Sequence, residues 1–458
     1  MKIGSKLSIA LASVGLLAGL TACGSVKGAE YVKGTPVKVG LICLHDSTST
    51  YDANFIDALK EAVKDLGSDK VVFEDNCLLT GVDETEECYD AAKDLVKKGC
   101  NVIFADSFGH QEFMLKAAKE WPTVQFCHAT GTNAKTANLD NYHNAFASIY
   151  EGRYLAGYAA GLRLLADNQE AIYTGTWEGA KLGYVGAFTY AEVVSGYTSW
   201  FLGVRDVFRD MGNGLEEFAD KITMDVQFTG SWYDPTGEAD AATALASRGA
   251  VLISQHADSM GAPGVCEEKG IPNVSYNIST KDKNCSETYL AHSRINWAPY
   301  YKAVVESLYN GTATTGETNH NWTGDLLSES VEYNIDWDNV LKNIDADTKG
   351  YAKPVMELMV SSVEAELLAG TRKVFDTSKF TVTVVKEGDN KKNVNATVDA
   401  DGHLTAYQAD TDGDFAPDTN VIVAASEDTP AYFNESFYCS APYFDINIDG
   451  ITLVNTKF

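Results

Sequence analysis

Basic residues are scarce in this 458-residue sequence, in which 36 lysines and arginines are set against 64 aspartates and glutamates. The formal net charge is -28 at pH 7. A surface of this sign repels nucleic-acid phosphates and anionic lipid headgroups, so the composition disfavours both as partners. Charge does not decide the fold, which has to be read from the pattern of residues.

Long hydrophobic runs are missing after Leu20. A membrane-spanning helix needs roughly 20 apolar residues, and no later segment approaches that length. The sequence also lacks GxxxxGK[ST], HExxH and GxSxG, which are typical of phosphate-binding loops, zinc proteases and serine hydrolases. No CxxC pair or Cys/His cluster has zinc spacing. Beyond its N-terminus, the chain is therefore expected to be water-soluble, without a metal site or a cofactor. A glycosidase that uses two of the 64 acidic residues stays open on this count.

The N-terminus has the composition of an export signal. Two lysines precede a short apolar core that ends at Leu20, too short to cross a bilayer. The core is followed by Thr21, Ala22, Cys23 and Gly24, a stretch that resembles the lipobox of bacterial lipoproteins. That resemblance implies that residues 1–22 are removed and that Cys23 carries a lipid on the outer face of the cell membrane. The alternative is a chance cysteine in an ordinary signal peptide.

Eight cysteines remain after Cys23, and an exported protein with an even number of them can form disulfides. Cys77 and Cys88 bracket the acidic stretch "LLTGVDETEE" and form the favoured pair, with Cys266 and Cys285 as a second hypothesis. The alternative is that several of the eight are buried thiols.

From Val37 onwards, short β-rich runs alternate with helical patterns. Strands are predicted at 37–43, 70–74, 101–106 and 123–129, and again at 181–187, 250–255 and 272–277, with amphipathic helices between them. This βα alternation predicts parallel sheets covered by helices, arranged as two doubly wound lobes on either side of a cleft.

The chain changes character near Ser378. "FTVTVV", "VNATVDADGHLTAY" and "NVIVAA" have β composition with many Asp, Asn and Gly, so residues 378–458 are predicted to form a β-rich C-terminal extension. The turn "DTDGD" (410–414) looks calcium-like, but Ala and Val stand where an EF-hand needs Gly and Glu. A solvated acidic turn is the favoured interpretation.

Polar and aromatic side chains cluster just after the predicted strands. In open α/β sheets, ligands bind beyond the carboxyl ends of the strands, so these residues are expected to face the cleft. Aromatic rings there suit stacking on a planar heteroaromatic base, and the polar groups suit its edge. The candidate ligand-binding residues are Tyr51, Phe55, Ser107, Phe108, His128, Phe188, Trp232, Asp258, Asn277 and Trp297.

Several of the same stretches resemble the basic membrane protein (PnrA-like) family, the substrate-binding lipoproteins of ABC importers for purine nucleosides and related compounds. The resemblance runs from about Val37 to Phe375 and rests on "SIYEGRYLAGYAAG", "KLGYVGAF", "GSWYDPTGEADAATAL", "SRGAVLISQHADS" and "SRINWAPYY". It implies a type I periplasmic-binding fold, a base held between aromatic rings, and no catalysis.

The sequence departs from the nucleoside-binding members of that family at informative positions. Asn277 stands where those members have an aspartate that grips the ribose, and Asn296 lies near the slot of their lysine. His128 replaces another aspartate. The forms "HATG", "QHxDS" and "NWxPYY" look closer to a branch associated with free purine bases. These departures favour a nucleobase over a nucleoside.

The resemblance also implies how the chain is divided. Residues 1–22 form the signal and 23–36 the lipid anchor and linker. Lobe 1 takes 37–147 with about 293–325, and lobe 2 takes 148–292 with about 326–377. The extension, 378–458, lies outside the resemblance.

The leading hypothesis is a lipid-anchored, monomeric receptor that closes on a purine and delivers it to the permease and ATPase subunits of an ABC importer. Phe55 or Tyr51 and Phe188 or Trp232 are expected to stack on the base. His128, Asp258 and Asn277 are expected to contact its polar edge, and Trp297 to wall the pocket.

Two alternatives belong to other functional classes. A sensory receptor would present the same closed form to a signalling partner. A surface glycosidase or nucleoside hydrolase would use two carboxylates of the cleft, with Asp52, Asp234 and Asp258 as candidates.

Overall fold

The computed structural model describes residues 27–28, 30–212, 214–312, 320–388, 391–414 and 416–457. The proposed export signal and Cys23 lie outside these ranges. Among the residues described, no helix combines the length and apolar character needed to cross a membrane.

The first lobe is built on a parallel sheet in the order β12-β6-β5-β4-β1-β2, with β3 also paired to β1. The strands are β1 (Val37–Ile42), β2 (Val71–Val72), β3 (Leu78–Leu79), β4 (Val102–Ala105), β5 (Gln125–Ala129), β6 (Tyr142–Ala147) and β12 (Asn321–Gly324). Its helices are α1 (Thr50–Leu66), α2 (Glu86–Lys97), α3 (Gln111–Glu120), α4 (Ala134–Ala137) and α11 (Ala298–Asn310).

The second lobe has a sheet in the order β13-β11-β10-β9-β7-β8-β19, in which only β13 runs antiparallel to its neighbour. The strands are β7 (Ala180–Gly186), β8 (Ile222–Phe228), β9 (Leu252–His256), β10 (Asn273–Tyr276), β11 (Tyr289–Ile295), β13 (Val331–Ile335) and β19 (Ile451–Leu453). The helices of this part of the chain are α5 (Ile149–Asp167), α6 (Gln169–Tyr173), α7 (Ala191–Met211), α8 (Glu216–Ala219), α9 (Pro235–Ser247), α10 (Gly261–Lys269), α12 (Trp337–Val340) and α13 (Ala346–Leu368).

The ends of helix α1, the first helix that the structure describes, are explained by their capping residues. Helix α1 begins after Ser49, whose side chain accepts a hydrogen bond from the Asp52 backbone N–H, and it ends at Gly67 with φ +79°. Ser at an N-cap and Gly after the last turn are the residues that satisfy unpaired helix ends. Its buried face packs Ile56 and Leu59 into the core of the first lobe. The predicted helix in this region is confirmed.

The chain passes between the two sheets three times, after β6, after β11 and after β12. Behind the second sheet, α5 and α7 approach so closely that a Cβ at Gly157 would lie 2.2 Å from the Trp200 carbonyl oxygen, and one at Gly203 would lie 2.1 Å from that of Tyr154. Only glycine permits this approach of two helices. The predicted two-lobed α/β fold is confirmed.

The C-terminal extension is part of the second lobe's packing as well as a β-rich region. Its strands are β14 (Ala396–Val398), β15 (Leu404–Ala409), β16 (Thr419–Asn420), β17 (Ile422–Val423) and β18 (Tyr432–Phe433), while β19 joins the second sheet beside β8. "FTVTVV" (380–385) forms no named strand, because its main pairing is one isolated bridge from Val385 to Lys392. The sequence did not show that the last strand completes a lobe.

Neither predicted disulfide is present. All eight cysteines of the described ranges are buried free thiols. Cys77 lies 3.7 Å from Cys100, sulfur to sulfur, whereas Cys88 sits on α2 with its sulfur 4.0 Å from the His110 carbonyl oxygen. The short sequence separation of Cys77 and Cys88 did not predict a disulfide, because Cys88 lies on α2 and points into the core.

The acidic turn at 410–414 is held by its own carboxylates. Asp410 Oδ1 accepts hydrogen bonds from the backbone N–H groups of Asp412 and Gly413, and carboxylate oxygens of Asp410, Asp412 and Asp414 lie within 4.8 Å of one another. Aspartate side chains commonly stabilise turns through hydrogen bonds of this kind.

Candidate functional site

A cavity lies between the two lobes, where residues following the strands of both sheets converge. This is the edge at which open α/β sheets bind ligands. The cavity is lined by Leu44, His45, Tyr51, Asp52, Ser107, Phe108, Thr130, Glu192, Trp232, His256 and Asp258.

The lobes touch each other across this cavity. The Thr50 backbone N–H, at the start of α1, donates to the Asp258 carbonyl oxygen of the second lobe over 2.8 Å. Phe108 of the first lobe stacks on Tyr190 of the second, with ring centroids 5.3 Å apart and an interplanar angle of 25°. The structure is therefore a closed form of the clamp.

Tyr51 and Trp232 line the cavity from opposite lobes, one from each of the predicted alternative pairs, and Phe108 also lines it. The Tyr51 hydroxyl donates to the Asp106 carbonyl oxygen at 2.9 Å, which fixes its orientation. Phe188 meets Trp232 edge to face at 5.0 Å and supports it from behind.

Phe55 and Trp297 do not line this cavity. Both side chains are about 2 % exposed, and they stack on each other at 4.3 Å within the core of the first lobe. The expectation that Trp297 walls the pocket is corrected on this geometry: α11 returns into the first lobe and brings Trp297 over Phe55 instead of over the cleft.

His128 acts behind the cavity wall. It is fully buried at the end of β5, and its Nε2 donates to the Ser107 carbonyl oxygen at 2.7 Å. Burial lowers the pKa of His128 to about 3, so the ring is neutral at physiological pH. Ser107 lines the cavity and its hydroxyl donates to Glu84 at 2.6 Å. His128 thus positions the Ser107–Phe108 segment.

The second lobe contributes a buried polar group centred on Asp258. One carboxylate oxygen of Asp258 accepts a hydrogen bond from the Asn277 side-chain amide at 3.3 Å. Asn277 has φ +67° and is 1 % exposed, so it supports Asp258 and does not itself line the cavity. Burial, together with the charges of Glu238, Asp52 and Glu192, raises the pKa of Asp258 well above its usual range.

Glu192 and His256 form a hydrogen-bonded pair on the cavity wall, 3.3 Å apart. Burial raises the pKa of Glu192 to about 7, against an opposing effect of Arg153. Burial and Arg153 hold the pKa of His256 well below its usual range, so its ring is neutral. A carboxyl that titrates near neutrality beside a neutral imidazole can present a donor or an acceptor to a ligand.

A carboxyl pair lies under the first-lobe side of the cavity. Burial, and then the neighbouring charge of Asp52, raise the pKa of Asp106 well above its usual range. Burial also opposes ionisation of Asp52, but hydrogen bonds from His45 and Ser49 lower the pKa of Asp52 overall. Carboxyl oxygens of Asp52 and Asp106 lie within 4.8 Å of each other, so the two pKa values are driven apart and the proton is expected on Asp106.

Sequence reasoning omitted Leu44, His45 and Thr130 from the lining residues. Thr130 has φ +63°, which is strained for a β-branched residue and persists only where the surroundings impose it. Its place in "HATG", directly after a strand, was the available signal. Asp52, Glu192 and His256 follow predicted strands but were not among the ten candidates.

The buried carboxyls predict an unusual pH dependence of stability. Burial raises the pKa of Glu151, Glu192 and Glu238 to about 7 and that of Glu435 to about 8, from a usual 4.5. The unfolded chain releases these protons above pH 4.5 while the folded protein retains them, so these four groups lower stability as pH rises from about 4.5 to 8. Buried neutral histidines such as His128 and His256 act in the opposite direction below about pH 7, because only the unfolded chain protonates them there. Above about pH 7 the histidines no longer contribute, so we expect the melting temperature to be about 2 °C or more lower at pH 8 than at pH 7.

Thermal unfolding across this pH range measures the effect. Glu435→Gln, which removes one such group, should reduce the difference between the two pH values, whereas the matched change at the exposed Glu427 should leave it intact. A melting temperature that rises steadily to pH 8 would contradict the assignment.

Comparison with known proteins agrees with this architecture. A family described as ABC transporter substrate-binding protein PnrA-like matches residues 40–347. The chain is 32% identical over 295 residues to a purine-binding protein of Brucella abortus, covering 64% of this chain and 74% of that protein. It is 31% identical over 212 residues to a putative ABC transporter glucose-binding protein of Haloferax volcanii, covering 46% and 47%.

Solved structures support the fold. A solute-binding protein of Aeropyrum pernix aligns with a TM-score of 0.57 and 15% identity, covering 74% of this chain and 93% of its own. One from Conexibacter woesei aligns with a TM-score of 0.50 and 17% identity, covering 74% and 98%. Because the family match covers more than half of the chain and falls on both lobes of the clamp, the protein belongs to the PnrA-like family of ABC transporter substrate-binding proteins.

Proposed function

We propose that this protein is a lipid-anchored receptor that captures a purine base in the inter-lobe cavity and delivers it to the permease of an ABC importer. The observation that carries the proposal is the composition of the cavity wall. Tyr51 and Trp232 approach from opposite lobes, and the polar groups of Asp258, Glu192 and His256 lie beside them. Aromatic rings bind the faces of a planar base, and the polar side chains select its edge.

The surroundings of two asparagines favour a base over a nucleoside. The Asn277 side-chain amide donates to Asp258. The Asn296 side-chain amide donates to Glu332 at 2.9 Å, and its side-chain oxygen accepts the Ala298 N–H at the start of α11. Neither lines the cavity. The positions that the nucleoside-binding members of the family use for the ribose are therefore engaged within this protein. The purine-binding relative is consistent with this ligand class.

The proposed anchor rests on the residues that precede Cys23. Mass spectrometry of the membrane-extracted protein should find an N-terminal acylated cysteine, and Cys23→Ala should release the protein from the membrane fraction. We also propose that the receptor works as a monomer, because a hinged clamp needs no second copy to enclose its ligand.

A thermal-shift screen of residues 24–458 tests the ligand. A ligand that binds only the folded clamp stabilises it by mass action and so raises its melting temperature. At a ligand concentration of 100 times Kd, the free energy of unfolding rises by about 2.7 kcal/mol. We expect a shift of several degrees with free purine bases, a smaller one with nucleosides, and none with glucose, which is included because of the Haloferax relative. A shift with sugars alone would refute the purine assignment.

The same samples separate the other functional classes. Chromatography after long incubation should recover the bound compound intact, and its cleavage would instead support a hydrolase. Genes for a permease and an ATPase beside this one support transport, whereas a histidine kinase gene there would support a sensor.

A further inference from the structure

The C-terminal extension is fixed to the second lobe. Strand β19 pairs in parallel with β8 through Ile451–Met224 and its neighbours, and the Val454 N–H donates to the Val226 carbonyl oxygen at 2.8 Å. Lys379 forms an ion pair of 2.7 Å with the buried Asp206 of α7. The extension therefore moves with the second lobe.

The same extension reaches the first lobe at two points. The Ser440 backbone N–H donates to the Asn321 side-chain oxygen at 3.1 Å, and Asn321 is the first residue of β12. Gly413 lies against Thr132, because a Cβ at Gly413 would be 2.3 Å from the Thr132 hydroxyl oxygen. Thr132 is two residues after Thr130, a residue of the cavity wall.

These contacts bridge the lobes without belonging to any of the three chain crossings. They occur together with the inter-lobe hydrogen bond from Thr50 to Asp258, in the closed form. When the lobes rotate apart and Thr50 separates from Asp258, the first lobe also moves away from the C-terminal extension, which is fixed to the second lobe. The contacts at Asn321 and Thr132 must then break or strain.

We propose that the C-terminal extension is a clasp that stabilises the closed form of the clamp by holding Asn321 and Thr132 of the first lobe. It favours closure before ligand arrives, so that the closing contacts do not depend on ligand alone. One net hydrogen bond corresponds to about a 2- to 10-fold change in the ratio of closed to open molecules. This inference does not depend on which ligand binds.

Hydrogen exchange of the Thr50 amide in the ligand-free, full chain tests the clasp. That amide is buried in the closed form and exchanges when the lobes separate, so its rate reports the opening equilibrium. Gly413→Ala places a methyl group against Thr132. Gly402→Ala is the matched control, because Gly402 also has positive φ (+91° against +79°) but meets only Thr381 of the extension, at 3.4 Å.

We expect Gly413→Ala to accelerate Thr50 exchange about 2- to 10-fold and Gly402→Ala to leave it unchanged. Asn321→Ala, which leaves the extension itself unaltered, should also accelerate it. Exchange of the Val454 amide should stay constant, showing that the extension remains docked on the second lobe. If Gly413→Ala loosens Val454 as well, Asn321→Ala decides. Unchanged Thr50 exchange in Asn321→Ala, or equal acceleration in Gly402→Ala, would overturn the proposal.

Discussion

Replacing Trp232 with alanine is expected to weaken purine binding by about 5- to 150-fold, because stacking on an aromatic side chain is worth about 1–3 kcal/mol per base. Trp232 lines the cavity and is braced by Phe188 and Tyr190 at ring distances of 5.0 and 6.0 Å. Its backbone carbonyl, which accepts the Asp258 N–H at 2.9 Å, is retained in the variant. The local backbone should therefore persist, and the loss should appear in affinity.

Calorimetric titration with the base that gives the largest thermal shift measures this effect. Trp337→Ala is the control, since Trp337 is a partly buried residue of α12 that does not line the cavity. Its loss should lower the melting temperature without altering affinity. Equal affinities for Trp232→Ala and the unaltered protein would remove Trp232 from the binding site.

The second large effect is expected at Asp258. In Asp258→Asn, the new side-chain oxygen is taken by the Asn277 amide, which already donates to this position, so the NH₂ group is turned towards the ligand. We expect Asp258, whose pKa is raised in the ligand-free protein, to lose its proton when it accepts an N–H group of the base. The asparagine can only donate at this position, so that N–H group is left unpaired. Such a mismatch costs about 1–3 kcal/mol, or about 5- to 150-fold in Kd.

Asp234→Asn is the matched control. Asp234 is the N-cap of α9, where its Oδ1 accepts the Gly237 N–H at 2.9 Å, and it does not line the cavity. Asparagine caps helices about as well as aspartate, so both stability and affinity should be retained. If Asp258→Asn binds as tightly as the control, Asp258 does not accept a hydrogen bond from the ligand.

Local patterns predicted the elements well because they depend on short stretches of chain. Helix α1 followed from the amphipathic pattern between the strands predicted at 37–43 and 70–74, but its start after Ser49 was not predicted. The predicted strands are present where β-rich runs alternate with helices, although 70–74 shortened to Val71–Val72. Strands β6 and β11 to β13 were not predicted. The β-rich character of the extension was predicted, but the pairing of its strands was not.

The same patterns could not separate cavity residues from their supports. Tyr51 and Phe55 are one helical turn apart and share a side of α1, so periodicity treats them alike. Helix α11, from a distant part of the chain, brings Trp297 onto Phe55, so Tyr51 is the one of the two that lines the cavity. His128 was a cleft candidate by its position, but its hydrogen bond to Ser107 turns the ring inwards.

By itself, the sequence determined the two α/β lobes and the edge of the sheets where polar and aromatic residues collect, because these depend on composition, periodicity and spacing along the chain. The family followed from the resemblance of whole stretches of sequence. Tertiary structure alone decided which aromatic rings line the cavity and that Cys77 lies beside Cys100. It also decided that the last strand completes the second sheet and that the extension before this strand contacts the first lobe. Those outcomes depend on residues far apart in sequence, whose approach is set by the packing of whole elements.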